Sequence, residues 1–161
     1  MTDFLTSDHH FGHARIIEYC DRPFATLGDM HAHMICAWNS VVRPEDTVYH
    51  LGDLFLGDYR AFLEIRAKLN GDIVLVRGNH DRVKGPVRAA LAGVYTSLLH
   101  PGSPSLLLTH RPTARDGWVN AHGHTHGTGT DTPWSIDVGV DAVGYAPITF
   151  EHLWERQKEL T

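Results

Sequence analysis

The sequence predicts a mixed α/β domain of two packed sheets with helices outside. Two patterns predict it. Strand-length apolar runs alternate with helical periodicity through the first half of the chain, and the second half is mostly short strands. Clusters of polar, ligand-type side chains also follow the ends of the apolar runs, where open α/β sheets place their ligands.

Asp3 to Ser7 reads as a short strand with Phe4 and Leu5 buried, and Gly12 to Tyr19 opens a helix. From Asp29 to Val41 the residues Met30, Met34, Ile35, Trp38 and Val41 recur near three- and four-residue spacing, which predicts a longer helix. Thr47 to Leu51 is a second strand. Tyr59 to Leu69 is a helix with Phe62, Ile65 and Leu69 partly on one face and Gly71 as its stop. Ile73 to Val76 is a continuous apolar run suited to a central strand buried on both faces. Val87 to Leu91 reads as helical. Strands are expected at Val94–Leu99, Ser105–Thr109, Trp118–Ala121, Ser135–Val138 and Pro147–Phe150, followed by a helix from Glu151 to Glu159. Trp118 and Trp134 read as core aromatics, and Cys20 and Cys36 as small buried side chains.

The 161 residues suit one domain, residues 1–161. Hydrophobic residues make up 42% and charged residues 20%, which argues against disorder and low complexity. No apolar run approaches the ~18 residues of a membrane span. The start MTDFLTSDHH lacks the basic and apolar segments of a secretory signal, so a cytoplasmic protein without membrane contact is expected. The net charge of −5 disfavours nucleic acid as a general partner. An anionic substrate stays open, because bound divalent ions reverse the local sign. The expected assembly is a monomer or small homo-oligomer.

The thirteen histidines carry the functional signal. Most sit in short clusters with Asp, Asn and Gly: Asp8-His9-His10, Gly52-Asp53, Gly78-Asn79-His80-Asp81, Thr109-His110 and Gly123-His124-Thr125-His126. Each follows an apolar run, and the glycines permit tight turns and close backbone approach. The set offers two carboxylates (Asp8, Asp53), one amide oxygen (Asn79) and four imidazoles (His10, His110, His124, His126). That is too many donors for one tetrahedral site, and it fits two ions sharing a carboxylate. Nitrogen and oxygen donors without thiolate suit manganese, iron, zinc, cobalt or nickel rather than calcium or magnesium.

In this order the motifs resemble those of the calcineurin-like metallophosphoesterase superfamily, in particular its small single-domain phosphoesterases of bacteria and phages. SDHHFGHARII near the start and DVGVDAVGYAPITF near the end carry the likeness to that subgroup, which runs from about Thr6 to Phe150. The resemblance implies a sandwich of two mixed β-sheets flanked by helices. It implies two divalent metal ions, manganese first, with iron, zinc, nickel or cobalt as alternatives. Asp8, His10, Asp53 and His126 would hold one ion, and Asp53, Asn79, His110 and His124 the other. His80 would contact a phosphate oxygen and help protonate the leaving group, with Asp81 orienting it. The implied activity is hydrolysis of phosphate esters by metal-activated water, with small or nucleotide phosphodiesters as the favoured substrates. The alternatives are a phosphomonoesterase and a non-catalytic metal-binding scaffold of the same fold.

His13, Arg22 and Arg111 are the candidate contacts to substrate phosphate. His9 reads as structural, and His31, His33, His100 and His152 as solvated. The basic run Arg77, Arg82, Lys84 and Arg88 reads as a solvated face.

Overall fold

The computed structural model describes residues 1–100 and 105–161. Along the chain, β1 (Asp3–Thr6) leads to α1 (Ile16–Tyr19), α2 (Leu27–Val41), β2 (Thr47–His50), α3 (Tyr59–Arg66), β3 (Asp72–Val76) and α4 (Gly85–Ala89). Then come β4 (Gly93–Tyr95), β5 (Leu98–Leu99), β6 (Leu106–Leu108), β7 (Val119–His122), β8 (Ser135–Asp137), α5 (Val140–Val143), β9 (Ile148–Thr149) and α6 (Phe150–Glu159). One sheet has the order β4-β3-β2-β1-β9, the other β5-β6-β7-β8. In the first, β1 to β4 are parallel and β9 is antiparallel; in the second, β6 to β8 are parallel and β5 is antiparallel. The fold is α/β, with two mixed sheets and flanking helices, as the sequence predicts.

The period of two along the strands sorts side chains onto the two faces of the first sheet. Phe4, Val48, Ile73 and Leu75 point to a core shared with Met30, Met34 and Trp38 of α2 and Phe62 and Ile65 of α3. Leu5, Tyr49 and Val76 point the other way and meet Leu106, Leu108, Val119, Ala121 and Ile136 of the second sheet, with Leu153 of α6. Each fully buried side chain of this size contributes about 1.5–3 kcal/mol. Trp38 is fully buried, and its indole N–H donates to the Asn70 carbonyl at 3.0 Å, so its one polar atom is satisfied.

The second helix begins at Leu27, two residues before the expected Asp29, because Thr26 Oγ1 accepts the Asp29 N–H at 3.1 Å and caps it. Val94–Leu99 is not one strand. Its halves belong to different sheets, and the chain crosses between them at Thr96 and Ser97. The helix expected from Gly12 is only the single turn Ile16–Tyr19, and the turn α5 was not expected. Trp134 is 58% exposed rather than in the core, Cys36 is exposed and Cys20 half-buried. His31 is not simply solvated, since its Nε2 accepts the Gly12 N–H at 2.9 Å, and His100 packs on Phe150 with ring centroids 4.0 Å apart. Among the described residues no helix is long and apolar enough to cross a membrane.

Candidate metal centre

The clusters lie just beyond the carboxyl ends of parallel strands. Asp8 and His10 follow β1, Asp53 follows β2, Asn79 and His80 follow β3, His110 follows β6, and His124 and His126 follow β7. Both sheets contribute, so the site forms only when they pack. The backbone there is unusual. Asp8 (φ 61°), His10 (φ 52°), Asp53 (φ 53°), His124 (φ 69°) and His126 (φ 49°) are left-handed, and among the described non-glycine residues only Asp21 and Tyr145 join them. Each such residue costs roughly 1–2 kcal/mol, and strain of this kind persists where surrounding structure holds it. Hydrogen bonds between loops hold it here: Asp8 N–H to Gly52 O at 3.0 Å and His10 N–H to Asp53 O at 2.9 Å. Gly123 is required by close approach, since a Cβ there would strike Ser7 Oγ and Asp8 Oδ2. At Gly52 (φ 102°) a Cβ would sit 2.5 Å from His110 Nδ1.

Three candidate donor groups result among the described residues; one, Cys20, His126 and Asp141, shares His126, and the other two hold the predicted ligands. Donor atoms of Asp8, His10 and His126 lie within 4.8 Å of one another, and so do those of Asp53, His110 and His124. Asp53 joins these two groups. Its Oδ1 accepts the His80 backbone N–H at 2.9 Å, and its Oδ2 stands 3.5 Å from both His10 Nε2 and His110 Nε2. Asn79 stands at the second group, with Oδ1 3.0 Å from His110 Nε2. The groups open on a cavity of about 820 Å³ whose lining includes His13, Tyr19, Asn79, His80 and Thr125.

The donor chemistry fits divalent cations. Asp8 Oδ1 and His10 Nε2 are buried and have no hydrogen-bond partner among the described residues, a costly arrangement unless something positive meets them. His110 donates its Nδ1–H to the Leu51 carbonyl at 2.9 Å, which turns Nε2 toward the site. Nε2 faces the oxygens of Asn79 and Asp53, at 3.0 and 3.5 Å. The protonation states of the first group are displaced in opposite directions at its two imidazoles. Burial lifts the Asp8 carboxyl to about 7, with His126 opposing. Burial, then the charge of His126, pushes His10 down to about 2. Burial works against the charge on His126, but its Nδ1–H bond to Asp141 at 2.7 Å raises it to about 10. A cation at the group favours ionised Asp8 and neutral imidazoles, as metal ligation requires.

Two expected roles change in the structure. Arg22 is not a substrate contact. It is 4% exposed, and its guanidinium donates to both oxygens of Asp141 at 2.8 Å, to the Asp8 carbonyl at 2.7 Å and to the His9 carbonyl at 3.0 Å, with Met30 Sδ at 3.5 Å. No N–H is left for a phosphate. Asp81 does not orient the His80 ring. Its carboxylate accepts the backbone N–H groups of Asp53, Leu54 and Gly78 at 2.7–2.9 Å and so clamps the two loops together. His80 itself is 39% exposed in the cavity, with Nε2 3.9 Å from Asp53 Oδ2. His13 stands at the cavity beside His10, with their Nδ1 atoms 3.4 Å apart. Arg111 reaches His124 and Asn79. Asp141 and Asp137 escaped the sequence reading. Asp141 backs His126, and Asp137 Oδ2 accepts the Thr125 hydroxyl at 2.5 Å and the Gly127 N–H at 3.0 Å. Both lie in the DVGVDAVGYAPITF stretch, the one signal that could have found them.

No family model matches the chain. It is 39% identical over 158 residues to the uncharacterized protein MJ1445 of Methanocaldococcus jannaschii, covering 92% of this chain and 86% of that protein. The chain belongs to the MJ1445 family. The Gene 66 protein of Mycobacterium phage D29 is 32% identical over 177 residues, covering 86% of this chain and 87% of its own. Among solved structures, the protein of unknown function AQ665 from Aquifex aeolicus superposes with a TM-score of 0.75 over 96% of this chain and 98% of its own, at 24% identity. The Pseudomonas putida nuclease MPE superposes with a TM-score of 0.53 over 77% of this chain and 61% of its own, at 23% identity. The MJ1445-family chain therefore shares its fold with a nuclease.

Proposed function

We propose that the chain is a dinuclear, metal-dependent phosphoesterase of the calcineurin-like metallophosphoesterase superfamily. In this reading residues 1–161 act as one domain, and the substrates are small or nucleotide phosphodiesters. The observation that carries the reading is Asp53 Oδ2, a single carboxylate oxygen 3.5 Å from an imidazole nitrogen of each donor group. A structural zinc site closes four donors around one ion; here two incomplete groups share a donor beside an open cavity. Asp8, His10, Asp53 and His126 would hold one ion, and Asp53, Asn79, His110 and His124 the other, manganese first. Bound divalent ions supply positive charge that polarises a phosphoryl group and acidifies water.

The chain's own residues do the rest. His80 would hold a proton at Nε2 for the leaving oxygen, because its ring is exposed in the cavity while Asp53 anchors its backbone. Asp81 is a positioning residue that fixes the Asp53 loop against the Gly78 loop. His13 and Arg111 would bind phosphoryl oxygens at the cavity. The open cavity accommodates ester groups on both sides of phosphorus, and a fold shared with a nuclease supports diesters over monoesters.

The test is turnover of a chromogenic phosphodiester and monoester by metal-stripped protein, with each divalent metal restored separately. Activity restored by manganese, and lowered on the order of 10²–10⁴-fold in His80→Ala, supports the reading. Bound metal without turnover on either ester points to the scaffold instead.

A further inference from the structure

The two donor groups differ in what touches them. At the first, Asp8 Oδ1 and His10 Nε2 have no hydrogen-bond partner among the described residues. At the second, a cation of the chain's own is in place. The guanidinium of Arg111 sets Nη1 2.7 Å from His124 Nε2 and Nη2 3.3 Å from Asn79 Oδ1. A neutral imidazole nitrogen carries one lone pair. It can accept an N–H of Arg111 or bind an ion, but not both. Asn79 Oδ1 has two lone pairs, and one already faces His110 Nε2 at 3.0 Å.

We propose that Arg111 is a built-in competitor for the second metal ion, and that its displacement by that ion frees it to hold the substrate's phosphoryl oxygens. This rests on the two-ion reading above. The backbone of Arg111 stays put while its side chain moves. The hydroxyls of Thr109 and Thr113 both donate to the Arg111 carbonyl, at 2.7 and 2.9 Å, whereas Arg111 is exposed and, among the described residues, its side chain reaches only His124 and Asn79. Among the described residues no arginine or lysine side chain donates to a donor atom of the first group. Arg22 is fixed behind His126 through Asp141. The first ion therefore binds tightly and the second weakly. An oxyanion gives Arg111 another partner, so phosphate and the second ion strengthen each other's binding.

The experiment is a calorimetric titration of metal-stripped protein with manganese(II), for the wild type and Arg111→Met, with and without inorganic phosphate. The expected wild type shows one tight and one weak ion. Arg111→Met tightens the second ion on the order of 10- to 100-fold, the range that a hydrogen bond to a charged group supports, and leaves the first within about twofold. Phosphate tightens the second ion in the wild type and does so less in the variant. The proposal is overturned if both constants match the wild type, or if the second ion weakens while the first holds. Binding of a single ion by both proteins would remove the two-ion reading itself, an outcome visible in the stoichiometry rather than the constants.

Discussion

The two donor groups are buried alike, each with two buried donors and one half-buried imidazole, and differ in what stands against them: Asp141 and Arg22 back the first, whereas exposed Asn79 and Arg111 stand at the second. Asp8 and His10 are almost wholly buried, and behind them His126 is tied to Asp141, which is tied in turn to Arg22. In the second group His110 is buried, but His124 is half-buried, Asn79 is exposed, and Arg111 reaches across both. The same donor types thus sit in two environments a few ångströms apart. Burial without partners raises the cost of leaving the first group empty, which favours tight binding. In the proposed reading, the exposure of Asn79 and the contact of Arg111 make the second group the one that exchanges its ion.

Asp53 is the element common to both groups, so its replacement has the largest effect. Asp53→Asn weakens metal binding at both and lowers turnover on the order of 10³-fold, the equivalent of several kcal/mol of transition-state stabilisation. Selective loss at one group would mean that Oδ2 is not shared. Next comes Asp141→Asn, which keeps the shape but weakens the acceptor behind His126. Changes of this kind typically cost 10–100-fold in metal affinity. Here the loss should fall on the first ion only, checked by the same titration; equal loss at both would erase the distinction between the groups.

A stability effect separates site histidines from structural ones. His9, flanked by two proposed ligands, faces His50 instead, Nδ1 to Nε2 at 3.0 Å, and packs on Phe11 and Trp38. Burial pushes His9 down to about 3 and His50 well below its ordinary value. Both are neutral in the folded protein, and the unfolded chain binds a proton at each below about pH 6.5. Their contribution is complete above that pH and is lost as pH falls toward the folded values, at about 1.4 kcal/mol per pH unit for each. Urea unfolding of metal-loaded protein at pH 7, 6 and 5 should show this decline, and His50→Gln should flatten it. A pH-independent midpoint would contradict the assignment.

That Asp8, His10, Asp53, His110, His124 and His126 gather was legible because ligand-type side chains follow the apolar runs. The paired sheets were legible because the apolar runs have strand length and, in the first half, alternate with helical periodicity. What sequence could not show is where local neighbours part. Asp81 is next to His80 in the chain, yet its carboxylate turns away to three backbone N–H groups. Arg22 lies close to the first histidines, but the partner that claims it, Asp141, is 119 positions away. The left-handed backbone at Asp8, His10, Asp53, His124 and His126 is likewise set by contacts between loops rather than by local preference.

The shared carboxylate oxygen of Asp53 is the centre of this account, and electron paramagnetic resonance tests it most directly. Protein loaded with two equivalents of manganese(II) should give the spectrum of an exchange-coupled pair, and Asp53→Asn should lose that coupling. A wild-type spectrum of two isolated manganese ions, or of one bound ion and one in solution, would contradict it.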